Sequence, residues 1–552
     1  MQLRPYQRDA VKASEDALKE TGSTLVVMPT GTGKTVVFSE LVKNTNGRAM
    51  VIAHREELIN QAAKKIESIC GFRPSIEMAE LKSYERHGNL FKNKCVVASV
   101  QTLNAKTKHG YRRDKFNPND FSLIVVDEAH HSVAKSYVDT INYFRRNPRI
   151  KICGVSATPD RADKLALGQI FESVGYNYEI YQAIQDGWLV PIITNQVVVD
   201  SLDFSHVRKT AGDLNQGDLA KVVELESSLH GIASPCVEIA GDRKTLIFAT
   251  TVSQAYDLCA IINRHGKKAA FVHGKTPKDE RREIIRRYAS GEYQFLCNVG
   301  IATEGFDDPS IGVVAIARPT MSRALYTQMI GRGTRPLPGV VDSPYGTLDS
   351  GSPAQRRAAI FNSAKPSVEV IDFVGNSSKH RLVSSADILS GKYPDEVAER
   401  AARIAKESDE PLDLISLMER ASQEEEEEQA AIQSITHRGD EYRLTARAKY
   451  RQKKGDPFDV FNIKAHRMLK KTDKQLTSRQ QAMLTRNGID IADLNMHQQS
   501  VLHGEVIRRI KSNQCTYKQA KLLKRYGYRT DMSFRQASDT IDRLARNGWK
   551  RK

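Results

Sequence analysis

The sequence predicts an α/β protein with two tandem parallel-sheet lobes followed by an α-helical, basic C-terminal region. Three observations carry that prediction. Short apolar runs at 24–28, 49–53, 95–98, 122–126 and 150–155 alternate with helical patterns. The alternation resumes at 245–249, 269–273, 295–299, 313–317 and 368–373. Runs that are apolar at every position and separated by helices are strands covered on both faces, which is the pattern of a parallel sheet. The third observation is charge: residues 431–552 hold 28 Lys and Arg against 11 Asp and Glu, which equals the whole formal excess of +17.

At 552 residues the chain is too long for one core, and the length suggests about three or four domains. The predicted boundaries are a first lobe at 1–195, a connector at 196–235, a second lobe at 236–375, an acidic helical linker at 376–430, a basic linker at 431–475 and a tandem helical repeat at 476–552. No run of 18 apolar residues occurs, so no membrane span and no membrane partner are expected. Met1 to Asp9 carry Arg4, Arg8 and Asp9 without an apolar segment behind them, unlike a secretory signal. The seven cysteines are scattered, mostly within apolar runs and without metal-ligand spacing. They read as reduced core residues, and the expected location is cytoplasmic.

The first run leads into Met28, Pro29, Thr30, Gly31, Thr32, Gly33, Lys34 and Thr35, and then into a helical pattern. Strand, Gly-rich turn and helix start make a phosphate cradle: glycines let successive N–H groups point at one anion, and the helix adds positive dipole. In that reading Lys34 reaches the β- and γ-phosphates of ATP and the Thr35 hydroxyl binds Mg²⁺. Met28 stands where the strict pattern has glycine; the alternative is a Gly-rich turn that carries a lysine by chance.

The run ending at Val126 is followed by Asp127, Glu128, Ala129 and His130. Ligand groups sit at the carboxyl ends of strands in such sheets. Asp127 there would hold Mg²⁺, and Glu128 would orient and deprotonate the attacking water.

These stretches, with others in fixed order, resemble superfamily 2 helicases and translocases of the DEAH type, including restriction-motor and repair-type helicases, over roughly residues 1–375. The resemblance implies that both lobes are RecA-like. Leu3, Arg4, Pro5, Tyr6, Gln7 is similar to the adenine-recognising segment, with Gln7 as its reader. Ala53 to Leu58, with His54 and Arg55, and Ser99 to Leu103, with Gln101 and Thr102, resemble motifs along the nucleic-acid groove. Ser156, Ala157, Thr158, Pro159 resembles the motif coupling hydrolysis to strand movement; taken alone, Ser99 to Thr102 and Ser156 to Thr158 are also ordinary helix caps.

In the second lobe, Gly300 to Asp307 and Gln328 to Arg335 resemble the fifth and sixth motifs. The resemblance implies ATP contacts from Gly305 and Asp307, a nucleic-acid contact from Thr303, coupling through His130, Ser156, Thr158 and Gln328, and arginine fingers at Arg332 and Arg335. The two arginines are three apart, so on a helix they would share one face.

Beyond the lobes, Glu424 to Glu428 reads as a solvated linker, with a nucleic-acid mimic that folds back on the basic tail as the alternative. Thr477 to Gly488 aligns with Thr516 to Gly527, and helical pieces follow at Val506 to Asn513 and Thr540 to Asn547. Each unit reads as Thr cap, helix, Gly stop, turn and helix. Lys518, Lys521, Lys524 and Arg525 suggest docking on phosphates; a plain structural helix pair is the alternative.

The expected function is a Mg²⁺-dependent ATPase, a helicase or translocase moving without sequence preference on nucleic acid, DNA ahead of RNA, with room for protein partners on the tail. The competing readings are an ATP-regulated nucleic-acid clamp and the motor of a restriction or defence assembly.

Overall fold

The computed structural model describes residues 3–79, 81, 83, 93–108, 110–157, 167–210, 213–301, 306–341, 351–376, 397, 400–401, 404, 412–423, 456–463, 476–492 and 494–549. Among these, seven strands form the first sheet. Their order is Ser75–Glu77, Cys95–Ser99, Arg48–Ala53, Phe121–Asp127, Lys151–Ser156, Ser23–Val27 and Ser173–Asn177, and every pairing is parallel. The central strands are buried along their lengths because helices cover both faces. Register sets Val27 beside Ser156 and Val155 beside Asp127, so three functional segments leave the sheet at one edge.

The second sheet has the order Ala269–His273, Phe295–Val299, Thr245–Ala249, Val313–Ala317, Val368–Asn376, Ile192–Asp203 and Leu412–Asp413. Only the last pairing is antiparallel. Two expected boundaries are corrected here. The connector expected at 196–235 is part of the second lobe: Ile192–Asp203 is a 12-residue strand beside Val368–Asn376, and Gln216–Val223 and Glu226–Ala240 are helices on its flank. Its burial alternates along much of its length, so polar residues such as Asn195 and Asp200 interrupt the apolar run that reveals a central strand.

The acidic linker expected at 376–430 also joins the body. Residues 412–413 pair with Ile193 and Thr194, and Leu414, Leu417, Met418 and Ala421 are buried with Val397 and Ala401 in the main core. Glu424 to Glu428 lie outside the described residues.

Val26, Val51, Val125 and Val155 of the first sheet and Leu246, Val314 and Val370 of the second belong to one continuous apolar cluster. Tyr178, Ile180, Ile184, Trp188, Leu189 and Val190 bridge them. The outer face of each sheet has a core of its own. Cys70 is partly buried, the other six cysteines are buried, and all seven are free thiols. No helix among the described residues is long and apolar enough to cross a membrane.

The tail forms a separate core of four repeat helices, Ser478–Arg486, Met496–Lys511, Tyr517–Arg525 and Phe534–Arg546, with Pro457–Phe461 packed among them. Thr477, Asn495, Thr516 and Ser533 each cap one repeat helix, and a Gln at the third helical position closes each capping box. Gly488 and Gly527 stop the first helix of each pair at φ +84 and +72. The second helices start at Met496 and Phe534, well before the expected Val506 and Thr540, because the Asn and Ser caps lie upstream of the apolar residues that marked them. Residues 456–463, expected within a basic linker, belong to this unit: Phe458, Val460 and Phe461 are buried in it.

Candidate active site

Strand Ser23–Val27 ends in the Gly-rich turn and helix Lys34–Asn44 follows, with Gly31 at φ +87 and Gly33 at φ +88. These left-handed conformations suit glycine. No side chain caps the helix, so its first N–H groups keep the positive end of the dipole exposed to an anion. The turn is held from behind: Tyr6 Oη and Gln7 Nε2 both donate to Thr32 O, at 2.8 and 3.0 Å. Thr32 Oγ1 donates to Pro29 O at 2.8 Å, and Lys34 Nζ reaches Met28 O at 3.4 Å. Thr35, the expected metal ligand, is half-buried one residue into the helix.

Gln7 was expected to read adenine. Its amide is engaged at both ends, since Oε1 also accepts from Arg4 N at 3.1 Å. The residues missed around it are aromatic. Tyr6 stacks on Tyr178 at 4.8 Å, and Arg4 and Arg356 lie over the Trp188 ring at 4.5 and 4.0 Å. Tyr6 lay inside a quoted motif; Tyr178, Trp188 and Arg356 come from distant segments that carried no signal.

Asp127 and Glu128 are both buried at the adjacent strand end. Asp127 Oδ1 accepts from Glu128 N at 3.0 Å. Glu128 has φ +49, a left-handed backbone without glycine's freedom. Its Oε2 is buried with no hydrogen-bond partner among the described residues, and His130 Nδ1 stands 3.5 Å away. His130 Nδ1 also faces Ser156 Oγ at 3.3 Å, while its Nε2 faces Gln328 Nε2 of the second lobe at 3.4 Å. The His130 ring thus touches two of the other expected coupling positions, Ser156 and Gln328; Thr158 lies outside the described residues.

The second lobe closes on the turn directly. A Cβ placed on Gly31 would lie 2.7 Å from Arg335 Cγ, and one on Gly331 would lie 2.8 Å from Thr30 Cβ. Val190 N donates to Thr334 O at 2.8 Å. Arg332 and Arg335 do not share a helix face as expected, because helix Arg323–Gly331 ends just before them. Arg335 lies against Gly31 and pairs with Asp307. Arg332 Nη1 donates to Phe306 O at 2.7 Å. Gly305 and Thr303 lie outside the described residues.

Lys365 was not anticipated. It is buried, and its Nζ donates to Pro309 O at 2.7 Å and Arg335 O at 2.8 Å. It therefore ties the Arg335 backbone to the segment after Asp307. Burial pushes its ammonium down to about 7.

On the opposite flank, His54 meets His131 edge-on at 4.5 Å, and His131 lies 4.1 Å from His130. Arg55 Nη1 donates to Gly300 O of the second lobe at 2.8 Å. Gln101 accepts from Ser99 Oγ at 2.6 Å. Thr102 differs from expectation: it is buried, and its hydroxyl accepts from Ala79 N at 3.0 Å. Arg281 and Lys278 of the second lobe pair with Glu57 and Glu56 at the first turn of helix Glu56–Cys70. The Lys278 hydrogen bond holds the Glu56 carboxyl below its ordinary range.

Residues 1–161 match the family model of the type III restriction enzyme res subunit, and residues 227–336 match that of the helicase conserved C-terminal domain. The Saccharomyces cerevisiae protein named "Putative ATP-dependent helicase IRC3" is 30% identical over 413 residues, covering 72% of this chain and 54% of that protein. Its Schizosaccharomyces pombe counterpart, "Putative mitochondrial ATP-dependent helicase irc3", is 30% identical over 356 residues, covering 61% of this chain and 55% of that one. The Escherichia coli type I restriction enzyme EcoKI endonuclease subunit is 27% identical over 414 residues, 63% of this chain and 34% of its own length. The chain spans about half the length of the two yeast relatives. With one match in each lobe, and with the phosphate turn of the first lobe packed against Arg335 of the second, the chain belongs to the superfamily 2 helicases.

Proposed function

We propose that the protein is a nucleic-acid-stimulated ATPase that converts ATP turnover into movement along DNA. The observation that carries this reading is the approach of the Arg335 side chain to Gly31, which sets the stem of an arginine from one lobe against the phosphate turn of the other, its guanidinium held by Asp307. ATP bound there takes ligands from both halves, so its arrival and hydrolysis bias the angle between them.

The turn N–H groups and Lys34 bind the phosphates. Buried Glu128, one of whose oxygens has no hydrogen-bond partner among the described residues, accepts the proton of the attacking water. Arg335 and Arg332 stabilise the charge that spreads over the transferring phosphoryl group, an effect worth roughly 10³ to 10⁵ in rate. The uncapped helix start and the buried Asp127 carboxylate suit a Mg²⁺–nucleotide complex, which Thr35 and Asp127 would hold. The metal neutralises phosphate charge when bound. His130, touching Ser156 and Gln328, relays the state of the carboxylates to the second lobe.

His54, Arg55, Gln101 and Thr303 are assigned to the nucleic-acid groove, and Thr102 to supporting it. Contacts to the backbone position the strand without reading bases. In the tail, Lys518, Lys521 and Arg525 are exposed along one face of helix Tyr517–Arg525 and suit phosphates. Lys524 is excluded from that role because its Nζ donates to Asp459 O at 2.6 Å and pairs with the Asp459 carboxylate. DNA is favoured over RNA by the restriction-enzyme matches. Those matches also favour a second reading, a motor within a restriction assembly.

The test is ATPase rate against single-stranded, duplex and forked DNA and RNA, followed by strand displacement. DNA-stimulated turnover is expected. Turnover indifferent to every nucleic acid would sink the proposal, and stimulation without displacement or translocation would leave a clamp.

A further inference from the structure

The tail helices meet the second lobe at a cluster of side chains that the nucleotide reading does not use. His230 comes from helix Glu226–Ala240, His265 caps helix Val252–Arg264, and Asp456 caps helix Pro457–Phe461. Each offers one ligand atom, and the three atoms all lie within 4.8 Å of one another. His230 and Asp456 are buried, and His265 is half-buried.

The chemistry around His230 is specific. Its Nε2 lies 3.2 Å from Glu226 Oε1, while its Nδ1 is buried without a hydrogen-bond partner among the described residues. A carboxylate at Nε2 favours the proton there and leaves the Nδ1 lone pair available to a metal. Histidines that ligate metals are oriented in this way, with the outer nitrogen donating to a carboxylate.

The charge inventory points in the same direction. Glu226 and Asp456 bring two negative charges, and Arg264, 3.0 Å from Asp456 Oδ2, brings one positive charge. A buried net negative charge calls for a further cation. Two imidazoles and a carboxylate are three donors of a four-coordinate zinc-class site, with water completing it, and a modest side-chain adjustment reaches the usual metal–ligand distances of about 2.0–2.2 Å.

We propose that His230, His265 and Asp456 bind a structural divalent metal of the zinc class, which fastens the tail helices to the second lobe. Arg264 supports the joint from outside, through Asp456 and through its guanidinium 5.3 Å from the Phe458 ring. The tail then moves with the lobe that carries Arg335. This inference stands whether or not the nucleotide reading does.

The test uses the full chain, purified without a polyhistidine tag or chelator, with zinc measured by elemental analysis after incubation with Zn²⁺ and dialysis. One zinc per chain is expected, lost in His230→Ala and in Asp456→Asn, with basal ATPase retained as the control for folding. Glu226→Gln should weaken zinc binding by roughly 10- to 100-fold. Should those variants fail to fold, Co²⁺ substitution of the unaltered protein should give the visible spectrum of a nitrogen- and oxygen-ligated cobalt site, and chelation should speed proteolytic release of the tail helices. Background zinc in the unaltered protein would overturn the proposal, because an imidazolium would then supply the missing charge. So would full zinc retention in both His230→Ala and His265→Ala.

Discussion

The two lobes share a sheet plan and differ at the end of one strand. In the first, Ser23–Val27 opens into a turn with two left-handed glycines and an uncapped helix. In the second, Thr245–Ala249 opens into Thr250 and Thr251, which satisfy their surroundings at once. Thr251 caps helix Val252–Arg264 through Gln254 N at 3.0 Å, and Thr250 N donates to Gln254 Oε1 at 2.7 Å. A helix start whose cap donor is already engaged offers fewer free N–H groups to a phosphate. The same topology therefore yields a cradle in one lobe and a rigid platform in the other, and the platform contributes guanidinium groups instead.

Substitutions at the cradle and at the arginines facing it should have the largest effects. Lys34→Ala should bring ATP turnover to background while nucleic-acid binding, read by anisotropy, persists; normal turnover would refute the cradle. Arg335→Ala should slow turnover by roughly 10³ to 10⁵ without loss of ATP binding. Arg332→Ala should cost less, since its guanidinium is partly engaged with Phe306 O; an equal loss would mean that the two arginines share the charge equally. Glu128→Gln should lower turnover by roughly 10² to 10⁴ and leave binding intact.

Lys365 links stability to pH on the platform side. Its folded pKa is about 7 against an ordinary 10.5, so between those values the unfolded chain holds a proton that the folded chain lacks. Stability should therefore rise as pH climbs through that window. A neutral amine keeps two N–H donors for the carbonyls of Pro309 and Arg335. Denaturant titrations should show the climb flattened in Lys365→Met. Thr251→Ala should have the smallest effect, about 1 kcal/mol of stability from the lost cap, with turnover per folded molecule unchanged. A large loss of turnover there would mean that the second lobe's strand end also touches nucleotide.

Much of this was legible because it depends on short-range pattern. The mostly apolar runs gave ten strands, nine of them within a residue at each end and Val368–Asn376 running three residues past its expected end, and the repeated Thr caps with Gly488 and Gly527 marked the tail helices. Strand Ile192–Asp203 escaped because polar residues break its run, and 412–413 escaped because a two-residue edge has no periodicity. The site was legible where one segment carries the chemistry, as in Gly31 to Thr35. It was not where segments far apart in sequence converge: Tyr178 on Tyr6, His131 between His54 and His130, and Lys365 beneath Arg335. Arg332 and Arg335 were given a shared helix face because spacing reveals phase but not where the helix stops.

The apolar cluster running through Tyr178, Trp188 and Leu189 into both sheets has a mechanical consequence. Parting two surfaces of this kind costs about 2.5 kcal/mol for every 100 Å² of apolar area wetted. A wide gape between the halves would therefore consume much of the energy a nucleotide can deliver. The economical stroke is a short slide or twist that keeps the seam dry, which suits a motor taking small steps while its halves stay in contact.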